Sequence, residues 1–98
     1  MATVFDVAQY LLNRLGQITT IKLQKLVYYC QAWSLVWDDA PMFSERIEAW
    51  ANGPVIPELF QRFKGAYSVG PEPAIGDASK LSREHAETVD AVIKHYGD

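Results

Sequence analysis

The stretch Ile18-Thr19-Thr20-Ile21-Lys22-Leu23-Gln24-Lys25-Leu26-Val27-Tyr28-Tyr29-Cys30-Gln31-Ala32-Trp33 decides the fold. Leu23, Leu26, Val27, Cys30, Trp33 and, further on, Trp37 recur at the three-and-four spacing of one helical face. A helix starting at Thr19 or Thr20, either of which suits an N-cap, buries that stripe and ends at Asp38-Asp39-Ala40-Pro41. Upstream lies a first helix. Thr3 caps it, Asp6 completes a capping-box-like pair, and Val4, Val7, Ala8, Leu11, Leu12 and Leu15 form its apolar face. Gly16 stops it, and the link from Gly16 to Thr19 is so short that the two helices must lie close together.

Downstream, Ile47 and Ala49 alternate with Arg46, Glu48 and Trp50, which predicts a short strand or extended segment. Asn52-Gly53-Pro54 is a turn signal, and Pro57 suits the first turn of a third helix with Leu59, Phe60 and Phe63 as its apolar face. Residues 65–80 carry Gly65, Gly70, Gly76, Pro71 and Pro73, and are expected to be the most mobile and change-tolerant part. Ser82 caps a last helix whose buried stripe is Ala86, Val89, Ile93 and Tyr96, with Val92 beside it. The expected fold is mainly α, a compact bundle of about four helices with a short extended or β segment near residues 42–55. One domain spans residues 1–98.

Composition bounds the rest. With 98 residues, 49% of them hydrophobic and 21% charged, the chain is one small folded domain. Residues 1–37 hold three bases against one acid and residues 38–98 six against eleven, for a net charge of −3. That balance argues against a general nucleic-acid binder or a polybasic membrane-surface protein. It fits either ordinary solvated helix faces or a mildly basic end that docks on something acidic. The longest apolar run, Leu26–Cys30, has five residues, against the ~18 of a membrane span. Met1–Asp6 has no basic stretch and an early acid, so a secretory signal is not expected and a cytoplasmic location is.

Catalytic motifs are missing: there is no Gly-rich phosphate loop, His-Glu-x-x-His, paired cysteine or Gly-x-Ser-x-Gly. The single cysteine, Cys30, lies on the apolar stripe and reads as a packed inert thiol rather than a nucleophile paired with His85. His85 and His95 are ten residues apart on one helix and point away from each other, so they do not share a metal. No enzyme activity, cofactor or metal is expected. Tyr28 and Tyr29 are adjacent and cannot both face the same small core, so at least one meets a second packing surface or a partner.

Two blocks carry a resemblance: Lys22-Leu23-Gln24-Lys25-Leu26 with the aromatics that follow, and Ala49-Trp50-Ala51-Asn52-Gly53-Pro54-Val55. In this order they resemble the SocA-like antitoxin family, also called the Panacea or phage-associated GepA-like domain, over residues 4–64 and again over 80–96. The family usually continues with a Thr-His and a Pro-Trp pair, which this chain lacks. The resemblance implies a mostly helical antitoxin of a toxin–antitoxin system that neutralises a cognate protein toxin, encoded nearby, by direct stoichiometric binding. The alternatives are a protease adaptor that delivers a toxin to ClpXP and a DNA-binding autoregulator. Against the latter, Lys22 and Lys25 are the second helix's only bases. A homo-oligomer stays open. Leu23, Leu26 and Trp33 match the signature but read as core. The expected toxin-binding residues are Lys22, Gln24, Lys25, Tyr29, Trp50, Asn52 and Gly53.

Overall fold

A computed structural model describes residues 1–97 of the chain. The fold is mainly α, with helices α1 (Val4–Leu15), α2 (Thr20–Trp37), α3 (Pro57–Arg62) and α4 (Arg83–Tyr96). Two small antiparallel pairs accompany them. β1 (Ile18–Thr19) pairs with β4 (Ser68–Val69), placing Ile18 opposite Val69; β2 (Glu48–Trp50) and β3 (Gly53–Val55) form a hairpin. A single 3-10 turn spans Ala78–Lys80. Among the described residues no helix is long and apolar enough to cross a membrane.

The caps sit where the sequence places them. Thr3 and Asp6 form a reciprocal capping box on α1, Thr19 rather than Thr20 caps α2, and Ser82 accepts from the His85 amide at the start of α4. α2 packs on both α1 and α4. Fully buried side chains from each helix meet there: Val7 and Leu11 of α1, Leu26 and Cys30 of α2, Leu59 of α3, Val89 and Val92 of α4. Met42 and Phe43, at the start of the extended or β segment expected near 42–55, precede its first strand, β2, and are completely buried in the same core.

The stripe on α2 overreaches at its end. Trp33 is half-buried and Trp37 is 59% exposed, because the last buried position is Ser34 and the final turn extends beyond the core. Trp37 instead leans on Trp33, with ring centroids 4.7 Å apart. Phe60 is exposed too: α3 has only six residues, and Pro57 and Leu59 take its buried side. On α4 the buried face is rotated toward Thr88, Val89 and Val92, leaving Ala86 and Ile93 half-buried and Tyr96 exposed. Tyr96 stacks on Tyr29 of α2 at 4.3 Å. Ala49 is exposed as well, since the hairpin lies on the surface.

Residues 65–80 are not held loosely. Gln9, buried on α1, donates to the Pro71 carbonyl at 3.1 Å and accepts from the Ile75 amide at 2.7 Å. Asp6 accepts from the Asp77 amide at 2.8 Å as well as from Thr3 within its own cap. Burial pushes the Asp6 carboxyl up, but hydrogen bonds from the Thr3 and Asp77 backbone outweigh it and hold the group below its ordinary value. At Gly76 the loop touches the first turn of α1: a Cβ there would lie 2.3 Å from the Phe5 carbonyl oxygen. At Gly70 a Cβ would meet only ordinary contacts, the nearest at 3.8 Å.

Two outcomes follow from these anchors. Gly76→Ala will lower stability by ~1–3 kcal/mol while Gly70→Ala stays within ~1 kcal/mol, read as urea midpoints. Asp6 has a folded-state pKa below its unfolded value, so its contribution is complete above about pH 4 and vanishes as pH falls through the folded value. The stability gap between the parent and Asp6→Asn will therefore be widest near neutrality and shrink in acid. A gap independent of pH contradicts the charged role.

Candidate functional site

An open groove of about 390 Å³ lies where the first turns of α2 meet the hairpin and α3. Thr20, Ile21, Gln24 and Lys25 form one wall, since Gln24 and Lys25 lie one turn beyond Thr20 and Ile21 and positions four residues apart are neighbours on a helix surface. Trp50, Ala51 and Asn52 at the hairpin tip, with Pro54 and Val55, form the second. Phe60, Phe63 and the Lys64–Ala66 segment after α3 close it, and the buried side chains of Leu23 and Leu59 lie at its base. Several apolar side chains stand open to solvent there: Ile21 is 70% exposed, Trp50 40% and Phe60 37%.

The walls are tied together by polar contacts. The Gln24 side chain accepts from the Ile56 amide at 3.0 Å and donates to the Ile56 carbonyl at 3.1 Å, fixing the joint between β3 and α3 against α2. Trp50 donates its indole N–H to Glu48 at 2.9 Å and meets Phe60 edge-to-face at 5.1 Å. Arg46 bonds the other Glu48 oxygen at 2.7 Å and reaches Glu58 at 3.7 Å, linking the hairpin to the start of α3. The Trp50 indole, then the Arg46 guanidinium, hold the Glu48 carboxyl below its ordinary value. Gly53 has φ +121°, a conformation that strains any residue with a side chain, so its place in the hairpin is a backbone requirement.

The structure divides the expected recognition residues into two groups. Gln24, Lys25, Trp50 and Asn52 line the groove, with Gly53 in the hairpin that shapes it. Lys22 and Tyr29, seven residues apart and so on one face of α2, turn toward α4 instead. Lys22 Nζ donates to the Gly97 carbonyl at 2.7 Å, and Tyr29 stacks on Tyr96. Ile21, Phe60, Phe63 and Lys64 belong to the groove and are absent from the sequence-based set. Ile21 was open to detection as an apolar residue outside the buried stripe. Lys64 gives no local signal, because chain reversal after α3 brings it to the site.

Cys30 is completely buried, and burial pushes its thiol far above the ordinary range. His85 is half-buried near the start of α4 and His95 is exposed near its end, beside Trp33. Among the described residues no three His, Cys, Asp or Glu side chains are grouped to hold a metal ion.

One family model, described as antitoxin SocA-like, Panacea domain, matches residues 23–98. The match takes in nearly all of α2, the hairpin, α3 and α4, and begins one residue after Lys22. No curated protein and no solved structure matches the chain.

The geometry separates the polar side chains of α2 by role. Gln24→Ala leaves the partly buried Ile56 amide without its partner, while the Ile56 carbonyl keeps the Phe60 amide, and will cost ~1–3 kcal/mol in a thermal or urea melt. Lys25→Glu, at an exposed position with no ion pair among the described residues, will stay within ~0.5 kcal/mol of the parent.

Proposed function

The chain belongs to the SocA-like antitoxin family, Panacea domain, and from that membership we propose that it neutralises one cognate toxin, encoded nearby, by direct stoichiometric contact. The family match over residues 23–98 carries this reading. The groove supports it as the contact surface. It gathers open apolar side chains, an exposed lysine of α2 and a hairpin tip whose turn is fixed by its backbone. In this reading the protein has no chemistry of its own: the thiol is sealed in the core, and inhibition comes from occupying the toxin rather than modifying it.

A DNA-reading role for α2 has less to work with. Lys22 is held by the Gly97 carbonyl, which leaves Lys25 as the only base on that helix without a partner among the described residues. One such cation neutralises too few phosphates for useful affinity at physiological salt. Delivery of the toxin to ClpXP requires a second contact surface, and nothing among the described residues favours it.

Co-expression with the product of the adjacent gene tests the proposal. Growth rescue by the parent and a complex of fixed stoichiometry on size exclusion are expected. Trp50→Ala, still folded, will weaken that complex by ~2 kcal/mol, roughly thirtyfold in Kd. Absence of both rescue and complex for the parent rejects the antitoxin reading for this chain.

A further inference from the structure

The groove has two basic residues in its lining, Lys25 and Lys64, and no acidic one, on a chain whose net charge is −3. Both lysines are exposed, and neither is in an ion pair or side-chain hydrogen bond among the described residues. Of the other cations, Arg14 faces Asp90, Arg46 faces Glu48 and Glu58, and Arg83 faces Glu87, while Arg62, Lys80 and Lys94 are in no ion pair among the described residues. Lys25 and Lys64 differ in sharing one concavity whose lining holds no carboxylate. Ile21, Trp50 and Phe60 in the same concavity are exposed apolar surface. Open hydrophobic walls lined with unpaired charge of one sign complement a ligand with the opposite pattern.

We propose that the groove binds an acidic peptide segment of a partner protein, anchored by one or two large apolar side chains. The anchor sits among Ile21, Trp50 and Phe60, and Asp or Glu residues beside it pair with Lys25 and Lys64. A volume of about 390 Å³ accommodates side chains rather than a whole folded element, so the segment lies across the opening. The mostly apolar walls and two cations favour a peptide over a nucleic acid, whose binding needs many phosphate contacts. The proposal deepens the antitoxin reading and rests on it for one point, that the protein carrying the segment is the toxin.

Random peptides displayed on phage and selected on the immobilised full chain test this without any toxin. Enrichment of sequences with Asp or Glu flanking a Leu, Phe or Trp is expected. Synthetic versions will bind the Lys25→Glu, Lys64→Glu double variant at least ~10-fold more weakly than the parent, and binding will fall with added salt. Arg83→Glu, on an exposed ion pair of α4, serves as the control and will bind like the parent. Circular dichroism confirms that each variant is folded.

No enrichment, enrichment of basic or uncharged sequences, or equal binding by the double variant overturns the proposal. Tighter binding of a single-stranded oligonucleotide, lost in the double variant, assigns the groove to nucleic acid and overturns it. A dimer in sedimentation that the double variant abolishes assigns it to a second copy and overturns it as well. The two readings also fail separately. Neutralisation of the toxin by the folded double variant removes the groove and leaves the antitoxin. Selected acidic peptides with no neutralisation by the parent leave the groove and remove the antitoxin.

Discussion

Backbone amides and carbonyls in irregular segments need partners once they leave water, and here helix-borne side chains provide many of them, Asp6, Gln9, Gln24 and Gln31 foremost, with Ser34 on the Ala40 carbonyl. Strands of two or three residues leave most of the chain between α2 and α4 outside any ladder. Asp6 and Gln9 of α1 hold the 71–77 segment, while Gln24 and Gln31 of α2 hold Ile56 and the Met42-Phe43 pair. A glutamine suits this task because its amide donates and accepts at once. Gln24 engages both polar groups of Ile56, much as a neighbouring strand would. Gln31, itself buried, accepts from the Met42 and Phe43 amides at 2.7 and 3.3 Å and donates to the Phe43 carbonyl at 2.8 Å. Among the described residues no buried side-chain nitrogen or oxygen lacks a partner.

These attachments have a functional consequence. Ile56 joins the hairpin to α3, so anchoring it to Gln24 sets two walls of the groove against the third. Trp50 is then held by Glu48 and Phe60 rather than swinging free, and the Arg46 bridge keeps the hairpin close to α3. A surface fixed in this way loses less conformational entropy on binding, which matters when its contact side chains are few. The same economy explains why Gln24 lies beside the site yet points its amide inward, whereas Lys25 next to it stays available.

Periodic features of the fold were legible in the sequence. The apolar stripes of α1 and α2 and the caps at Thr3 and Ser82 follow from local spacing and backbone chemistry. The Asn52-Gly53-Pro54 turn signal falls at the hairpin, although the turn itself is Ala51-Asn52 and Gly53-Pro54 open β3. The family was legible as well, from the two signature blocks. What escaped has physical reasons. A stripe reports which way a side chain faces but not where the core ends, hence the exposed Trp37, Phe60 and Tyr96. Glycine and proline content signals freedom only when nothing packs on the loop, and at 71–77 the anchors come from α1, more than sixty residues away in sequence. The groove mixes residues from Thr20 to Ala66, so no window of sequence displays it, and only Gln24, Lys25, Trp50 and Asn52 were recognisable beforehand.

Amide hydrogen exchange tests the central dependence on these side chains most directly. The relevant donors are the backbone N–H groups of Met42, Phe43, Ile56, Ile75 and Asp77, each bonded to a helix-borne side chain rather than to a strand. In the free protein these five should exchange as slowly as the central amides of α1 and α2, since releasing them requires opening the core. Exchange at the rates of exposed loops, while α1 and α2 remain protected, would contradict the view that side-chain amides and a carboxylate hold this fold together.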